Sequence, residues 1–299
     1  KAAKHALSRV RGELTSQETD GWYTLVNTCS SHVYLKRLNR MGEVALERLA
    51  EPLCAFAQWE NKAYPHDRLN YAWKILMQNH PHDSICGCSV DQVNKEMEIR
   101  FDRSREVADT IIESASQWLA DKVDTSGFAA YGEDCVPFVV FNTTGWERTG
   151  SVTLTLEVRR DRSRWLAKGY QNLEKWPLPA CRVVDARGNE VEAVIKDAGI
   201  RFGYDLPDDR FRQPYMARLA EVTIYARAIP ACGYAVYGLV LEASRMRRRE
   251  SLVTGKNRME NDALAVRINE DGTLCVQDKV LNREYKDICY FEDTLDAGN

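Results

Sequence analysis

With 299 residues, the chain has room for two or three domains, each with its own core. Hydrophobic residues make up 44% and charged residues 28%, at a net charge of −3. That balance excludes a disordered or fibrous chain and gives no global basic field for nucleic acid.

No apolar run is long enough to span a bilayer, and Lys1-Ala2-Ala3-Lys4-His5 does not open a secretory leader. The expectation is a protein without a membrane partner, and both ends read as cuts through a longer polypeptide. Nine cysteines form an odd set with no repeating frame, and most sit in apolar surroundings, as in Leu53-Cys54-Ala55-Phe56. Reduced, buried thiols in a cytoplasm fit that pattern better than a disulfide scaffold. The basic run Arg245 to Arg249, followed by Glu250, reads as a solvated linker.

In chain order, the first half has a helical period. From Val33 the apolar residues Leu35, Leu38, Ala45, Leu49 and Phe56 recur at steps close to three and a half residues, which predicts a helix. Pro52 lacks a backbone donor, so a kink or break is expected there. Pro65 suits a first helical position, and Leu69, Ala72, Trp73 and Leu76 then share one face of a second helix that ends near Asn79. After a loop, Ser89 and Gln92 have the spacing of a capping box. Behind them Val90, Val93, Met97, Ala108, Ile111, Ala115 and Trp118 line one face of a long third helix, with Met97 and Trp118 expected in the core.

From about Cys135 the period becomes two. Pro137 to Phe141 reads as a buried strand closed by Asn142-Thr143-Thr144-Gly145; those residues also match a glycosylation sequon, taken as a chance match. Val152, Leu154, Leu156 and Val158 alternate. Arg182-Val183-Val184 turns through Asp185 to Asn189 into Val191 to Ile195. Ala220, Val222 and Ile224, then Tyr234 to Val240, add further strands, and Glu270-Asp271-Gly272 joins a later hairpin. The pattern predicts an α+β multidomain chain: a three-helix bundle followed by antiparallel β-sandwich material.

Metal-capable side chains concentrate in the loop His80, His82, Asp83, Cys86 and Cys88. Three readings remain open on chemistry alone. The loop could close its own tetrahedral zinc, although Cys-x-Cys and His-x-His direct successive side chains apart in extended chain. One histidine could join ligands from another domain, because a single imidazole binds zinc too weakly alone. Or the loop could simply connect two helices, with Asp83 and Ser84 bonding the backbone and the histidines in solvent.

The segment Gln78 to Ser89, QNHPHDSICGCS, is very similar to the helical-domain signature of family 38 α-mannosidases. Glu51-Pro52-Leu53 resembles that family's middle-domain helix. Gly12-Glu13-Leu14 with Ser30 to Lys36 resembles the end of its barrel and the entry to the bundle. Phe138 to Asn142, Ile229-Pro230 with Gly233-Tyr234, and Asn269 to Thr273 with Asp278-Lys279 match its β region in order, so the resemblance covers essentially the whole chain.

The resemblance implies a barrel remnant at 1–28, a three-helix middle domain at 29–125, a β-sandwich at 126–250 and the start of a further β-sandwich at 251–299. It also implies a zinc-dependent retaining α-mannosidase as the parent, acting on an α-mannoside or a mannosylglycerate-like substrate, with a bacterial origin. By position in the motif, His82 is implied as a zinc ligand and Asp83 as a contact to sugar hydroxyls. The remaining ligands and the catalytic carboxylates would lie on the protein's own N-terminal catalytic domain. No catalytic residue is expected in this segment, which should be inactive alone.

His32 departs from the family, standing where relatives usually place Arg, and His80 is not in the family's ligand set, so it reads as a supporting residue. A homo-oligomer is compatible with the sequence. The rival reading is a non-catalytic carbohydrate-binding or structural β-module on a helical spacer, for which Trp146, Trp165 and Trp176 would supply an aromatic platform.

Overall fold

A computed structural model describes residues 31–242 and 251–290. The chain divides into two compact units, Lys1–Ser244 and Arg245–Asn299. The resemblance at Gly12-Glu13-Leu14, the barrel remnant expected at 1–28 and the basic run at 245–249 lie outside the described residues.

The described part of the first unit opens with one long helical rod. Helix α1 (Val33–Glu43) passes into a π-helical stretch, Val44–Ala50, and on into α2 (Glu51–Trp59) with helical dihedrals throughout. Pro52 therefore does not break the helix. It sits in the first turn of α2, where a proline is tolerated, directly after the π-helical stretch.

The same π stretch corrects the predicted apolar stripe. Wider turns shift the phase of every later side chain, so Leu46, Ala50 and Leu53 face inward while Leu49 is exposed. Helix α3 (His66–Met77) begins one residue later than predicted, with Pro65 as its N-cap. A single turn, α4 (His82–Ile85), leads to the 30-residue α5 (Asp91–Ala120).

The predicted capping box is absent. Val90 is the N-cap of α5 and no side chain caps it, so Val90 is exposed rather than in the core. Leu35, Leu46, Leu76 and Met97 are fully buried where the three rods meet; truncating one such side chain to Ala costs about 2–5 kcal/mol. Trp118, expected in that core, lies instead at its edge. Its indole donates to the Glu60 carbonyl at 3.2 Å, and the ammonium groups of Lys62 and Lys122 sit over its ring.

A 3-10 segment (Ser126–Asp134) carries the chain into a two-sheet sandwich. One sheet has strand order β1-β7-β3-β4, built from Cys135–Asn142, Gly233–Glu242, Ala180–Asp185 and Glu190–Val191. The other has order β2-β6-β5, built from Arg148–Asp161, Gln213–Ile229 and Ala193–Asp205. All pairings are antiparallel.

Phe138, Val140, Val183, Tyr237 and Leu239 of the first sheet share a core with Ala220, Val222, Ile224 and Ala226 of the second. The alternating pattern of the sequence is the origin of those inner faces. Helix α6 (Leu166–Glu174), not predicted, follows β2 and buries Leu173.

Asn142 closes β1 and is buried, its side-chain amide donating to the carbonyls of Trp146, Ile229 and Pro230. That engagement leaves the sequon asparagine no free amide for a glycan in the folded chain.

The second unit is a five-stranded antiparallel sheet, β12-β11-β10-β9-β8, running over Val253–Gly255, Arg258–Glu260, Leu264–Ile268, Leu274–Asp278 and Arg283–Ile288 in chain order. Gly272 takes a positive φ in the β10–β11 hairpin, as its Asp-Gly turn leads one to expect.

Candidate functional site

The loop between α3 and α5 is fixed at both ends. Asn79, fully buried past the end of α3, donates its side-chain amide to the Met97 carbonyl on α5 at 3.0 Å. At the far end, the Ser89 hydroxyl donates to the Asp83 carbonyl at 2.6 Å. The residue that reads as a helix cap thus braces α4 instead.

A third set of anchors comes from the start of α1. The Lys36 ammonium donates to the carbonyls of Ser31 and Cys86, the latter at 2.9 Å. Ser31 donates to the Gly87 carbonyl at 3.4 Å. His32 adopts a left-handed conformation (φ 45°) and lies against Gly87, with its Nδ1 3.0 Å from the Ser31 hydroxyl. Periodicity could not have found Ser31 or Lys36, because their partners in the loop lie 56 and 50 residues away.

Gly87 is itself left-handed, at φ 78°. This turn corrects the extended-chain picture of Cys-x-Cys: the Cys86 and Cys88 sulfurs are 3.2 Å apart. The loop is therefore no random connector. It presents α4 on a backbone held by Lys36, Ser89 and the Gly87 turn.

His82 and Asp83 project from that turn. Their side chains are 86% and 76% exposed, with the imidazole Nε2 3.3 Å from Asp83 Oδ1. His80 lies apart from them; its Nε2–H donates to Asn39 Oδ1 at 2.8 Å and ties the loop to α1. Beneath the turn, Asn94 is buried and donates weakly to the Ser89 carbonyl and to His32 Nε2, while its Oδ1 has no partner among the described residues.

No group of three His, Cys, Asp or Glu side chains converges on one point among the described residues. An exposed imidazole beside a carboxylate fits one place in a coordination sphere completed from elsewhere, and does not make a complete one.

The cysteines differ from expectation. Of those described, all free, only Cys54 and Cys275 are buried, while Cys88, Cys232 and Cys289 are exposed. The tryptophans do not form a platform. Trp146 and Trp165 are exposed but lie beyond opposite ends of β2, whose 14 residues span about 45 Å. Trp176 is half-buried with the Arg159 guanidinium stacked over it.

Comparison with known proteins matches residues 24–119 to the alpha mannosidase middle domain and residues 133–241 to the glycosyl hydrolases family 38 C-terminal domain 1. The chain belongs to glycosyl hydrolase family 38.

Among relatives in that family, it is 36% identical to a Halalkalibacterium halodurans protein named "Putative mannosylglycerate hydrolase", over 98% of this chain and 33% of that one. A crystal structure of an alpha-mannosidase from Enterococcus faecalis V583 superposes with a TM-score of 0.80 at 41% identity, over 92% of this chain and 31% of the other. A second Enterococcus faecalis family 38 protein gives a TM-score of 0.77 at 37% identity, over 87% and 31%. The chain spans about a third of the length of these family 38 relatives.

Proposed function

We propose that this chain supplies one wall of the active site of a zinc-dependent retaining α-mannosidase, with His82 as a zinc ligand and Asp83 as an acceptor for sugar hydroxyls. The observation that carries the proposal is the pairing of two exposed side chains, His82 and Asp83, on a turn whose backbone is held from α1 and α5. A surface histidine with no role would not need three sets of anchors beneath it.

The division of labour follows from chemistry. A neutral imidazole offers one nitrogen lone pair to a metal, and a carboxylate accepts from two hydroxyls at once. When bound, zinc supplies positive charge that orients adjacent sugar hydroxyls and eases the ring toward an oxocarbenium-like transition state. The two catalytic carboxylates of a retaining hydrolase would come from the protein's own N-terminal catalytic domain, so this chain alone would be inactive.

The Halalkalibacterium relative's name favours a mannosylglycerate-like substrate among α-mannosides, the organisms of the relatives favour a bacterial origin, and the free thiols among the described residues favour a cytoplasmic setting. No helix among the described residues is long and apolar enough to cross a membrane.

The test is hydrolysis of a synthetic α-mannoside by the full-length parent. His82→Ala should abolish turnover and lower the bound zinc, and Asp83→Asn should raise KM. Full activity in His82→Ala would overturn the assignment. The 299-residue chain, equilibrated with zinc and dialysed, should keep far less than one ion per molecule. Tight stoichiometric binding lost with Cys86→Ser and Cys88→Ser would instead favour a self-contained site in the loop.

A further inference from the structure

We propose that Cys86 and Cys88 form a reversible dithiol–disulfide pair whose closure alters the hydrogen bonding that holds the carbonyl of Asp83. The geometry that carries this is local and complete. The left-handed turn at Gly87 folds the two cysteines back on one another and brings their sulfurs to 3.2 Å. A disulfide needs that approach shortened to about 2.05 Å with the bond's dihedral at about 90°.

Access favours the same pair. Cys88 is exposed and Cys86 half-buried, so Cys88 meets an external disulfide first and Cys86 stands behind it to resolve the product. The other described cysteines have no such arrangement; burial pushes the Cys181 thiol up to about 11, which leaves it protonated and inert.

The reaction is thiol–disulfide exchange with a low-molecular-weight disulfide as oxidant. The Cys88 thiolate attacks one sulfur of that disulfide, giving a mixed disulfide and releasing one small thiolate. The Cys86 thiolate then attacks the Cys88 sulfur, forms the Cys86–Cys88 bond and expels the second small thiolate. Two protein thiols are oxidised, one small disulfide is reduced to two thiols, and the protons lost by the cysteines end on those thiols. The hydrogen bond to Cys86 holds the Cys88 thiol above its ordinary range, so the exchange should quicken as pH rises.

Closure has a structural consequence. Cys88 carries a single thiol proton, with the Cys86 sulfur at 3.2 Å and the Asp83 carbonyl at 3.6 Å as its possible acceptors. The disulfide has no such proton. The Asp83 carbonyl then keeps only the Ser89 hydroxyl among these donors.

The experiment uses the 299-residue chain, treated with glutathione disulfide, quenched with iodoacetamide and digested with trypsin. Cleavage after Lys74 and Lys95 isolates Ile75 to Lys95, which contains Cys86 and Cys88 and no other cysteine. The expected product is that peptide lighter by two hydrogen atoms, without a glutathione adduct, reverting on addition of dithiothreitol. Cys86→Ser should instead trap one glutathione on Cys88, since no resolving thiol remains, and its far-UV circular dichroism should match the unaltered chain. The proposal is overturned if the unaltered chain accumulates glutathione adducts without the closed form, or if Cys88 is recovered joined to a cysteine outside this peptide.

Discussion

The hydroxyl of Thr143, at the end of β1, donates to the carbonyl of Arg48 in the π-helical stretch at 2.7 Å. In a regular helix that carbonyl would accept from residue 52, but residue 52 is proline and has no N–H. The first residue past the sandwich's first strand thus fills a vacancy that the helical rod creates. Phe141, two residues earlier, packs against the helical core beside it.

Thr143→Val keeps the shape and removes the donor. Water can reach this carbonyl, so the loss should be modest, about 0.5–1 kcal/mol. Urea unfolding should show a lower midpoint with an unchanged slope.

Two left-handed glycines offer a controlled comparison. Gly87 and Gly199 have nearly equal φ values, 78° and 83°, but a Cβ on Gly87 would lie 2.9 Å from His32 Cβ while one on Gly199 meets nothing within 4 Å. Gly199→Ala should cost about 1 kcal/mol through backbone strain alone. Gly87→Ala adds the collision with His32 and should cost measurably more, with faster proteolysis within residues 80–88. Equal costs in thermal unfolding would show that the His32 contact yields freely.

Arg218 is buried on β6 and closes the end of α6. Its guanidinium donates to the carbonyls of Leu173 and Trp176 at 3.0 and 2.9 Å and pairs with Asp197 at 3.2 Å. A cation there meets the negative end of the helix dipole, adding to the Trp176 N–H that the Leu173 carbonyl already accepts at 3.1 Å. Arg218→Met retains the apolar stem and removes these charge-assisted bonds, at about 1.5–3 kcal/mol. Hydrogen exchange should quicken first in residues 166–174. Arg218→Lys should rescue only in part, because one ammonium cannot reproduce the planar fork.

Asp161, at the end of β2, is held below the usual carboxylate range by the Ser163 hydroxyl, the Asn172 side-chain amide and the Ser163 backbone N–H. A carboxyl depressed on folding contributes stability that is present above its unfolded-state pKa and is lost as pH falls through its folded-state value. Asp161→Asn should therefore be less stable than the unaltered chain at neutral pH, and the difference should shrink as the medium is acidified. Urea midpoints measured from pH 7 down into the acid range, about pH 3, would show the two curves converging.

The change of period near Cys135, the helix over Leu69 to Leu76 and the alternation of Val152 to Val158 were all legible from the chain alone, because each depends on neighbours a few positions away. What the tertiary structure decided depends on residues far apart in sequence. The π-helical stretch rotates Leu46 inward and Leu49 outward. Ser89 turns from a helix cap into a brace for Asp83, and Gly87 folds beneath His32 so that two thiols meet. Local pattern selects which faces are apolar. Only packing fixes the phase of a helix and the partner of each polar atom, since either can change by one residue at little local cost while the contact across the fold admits one arrangement.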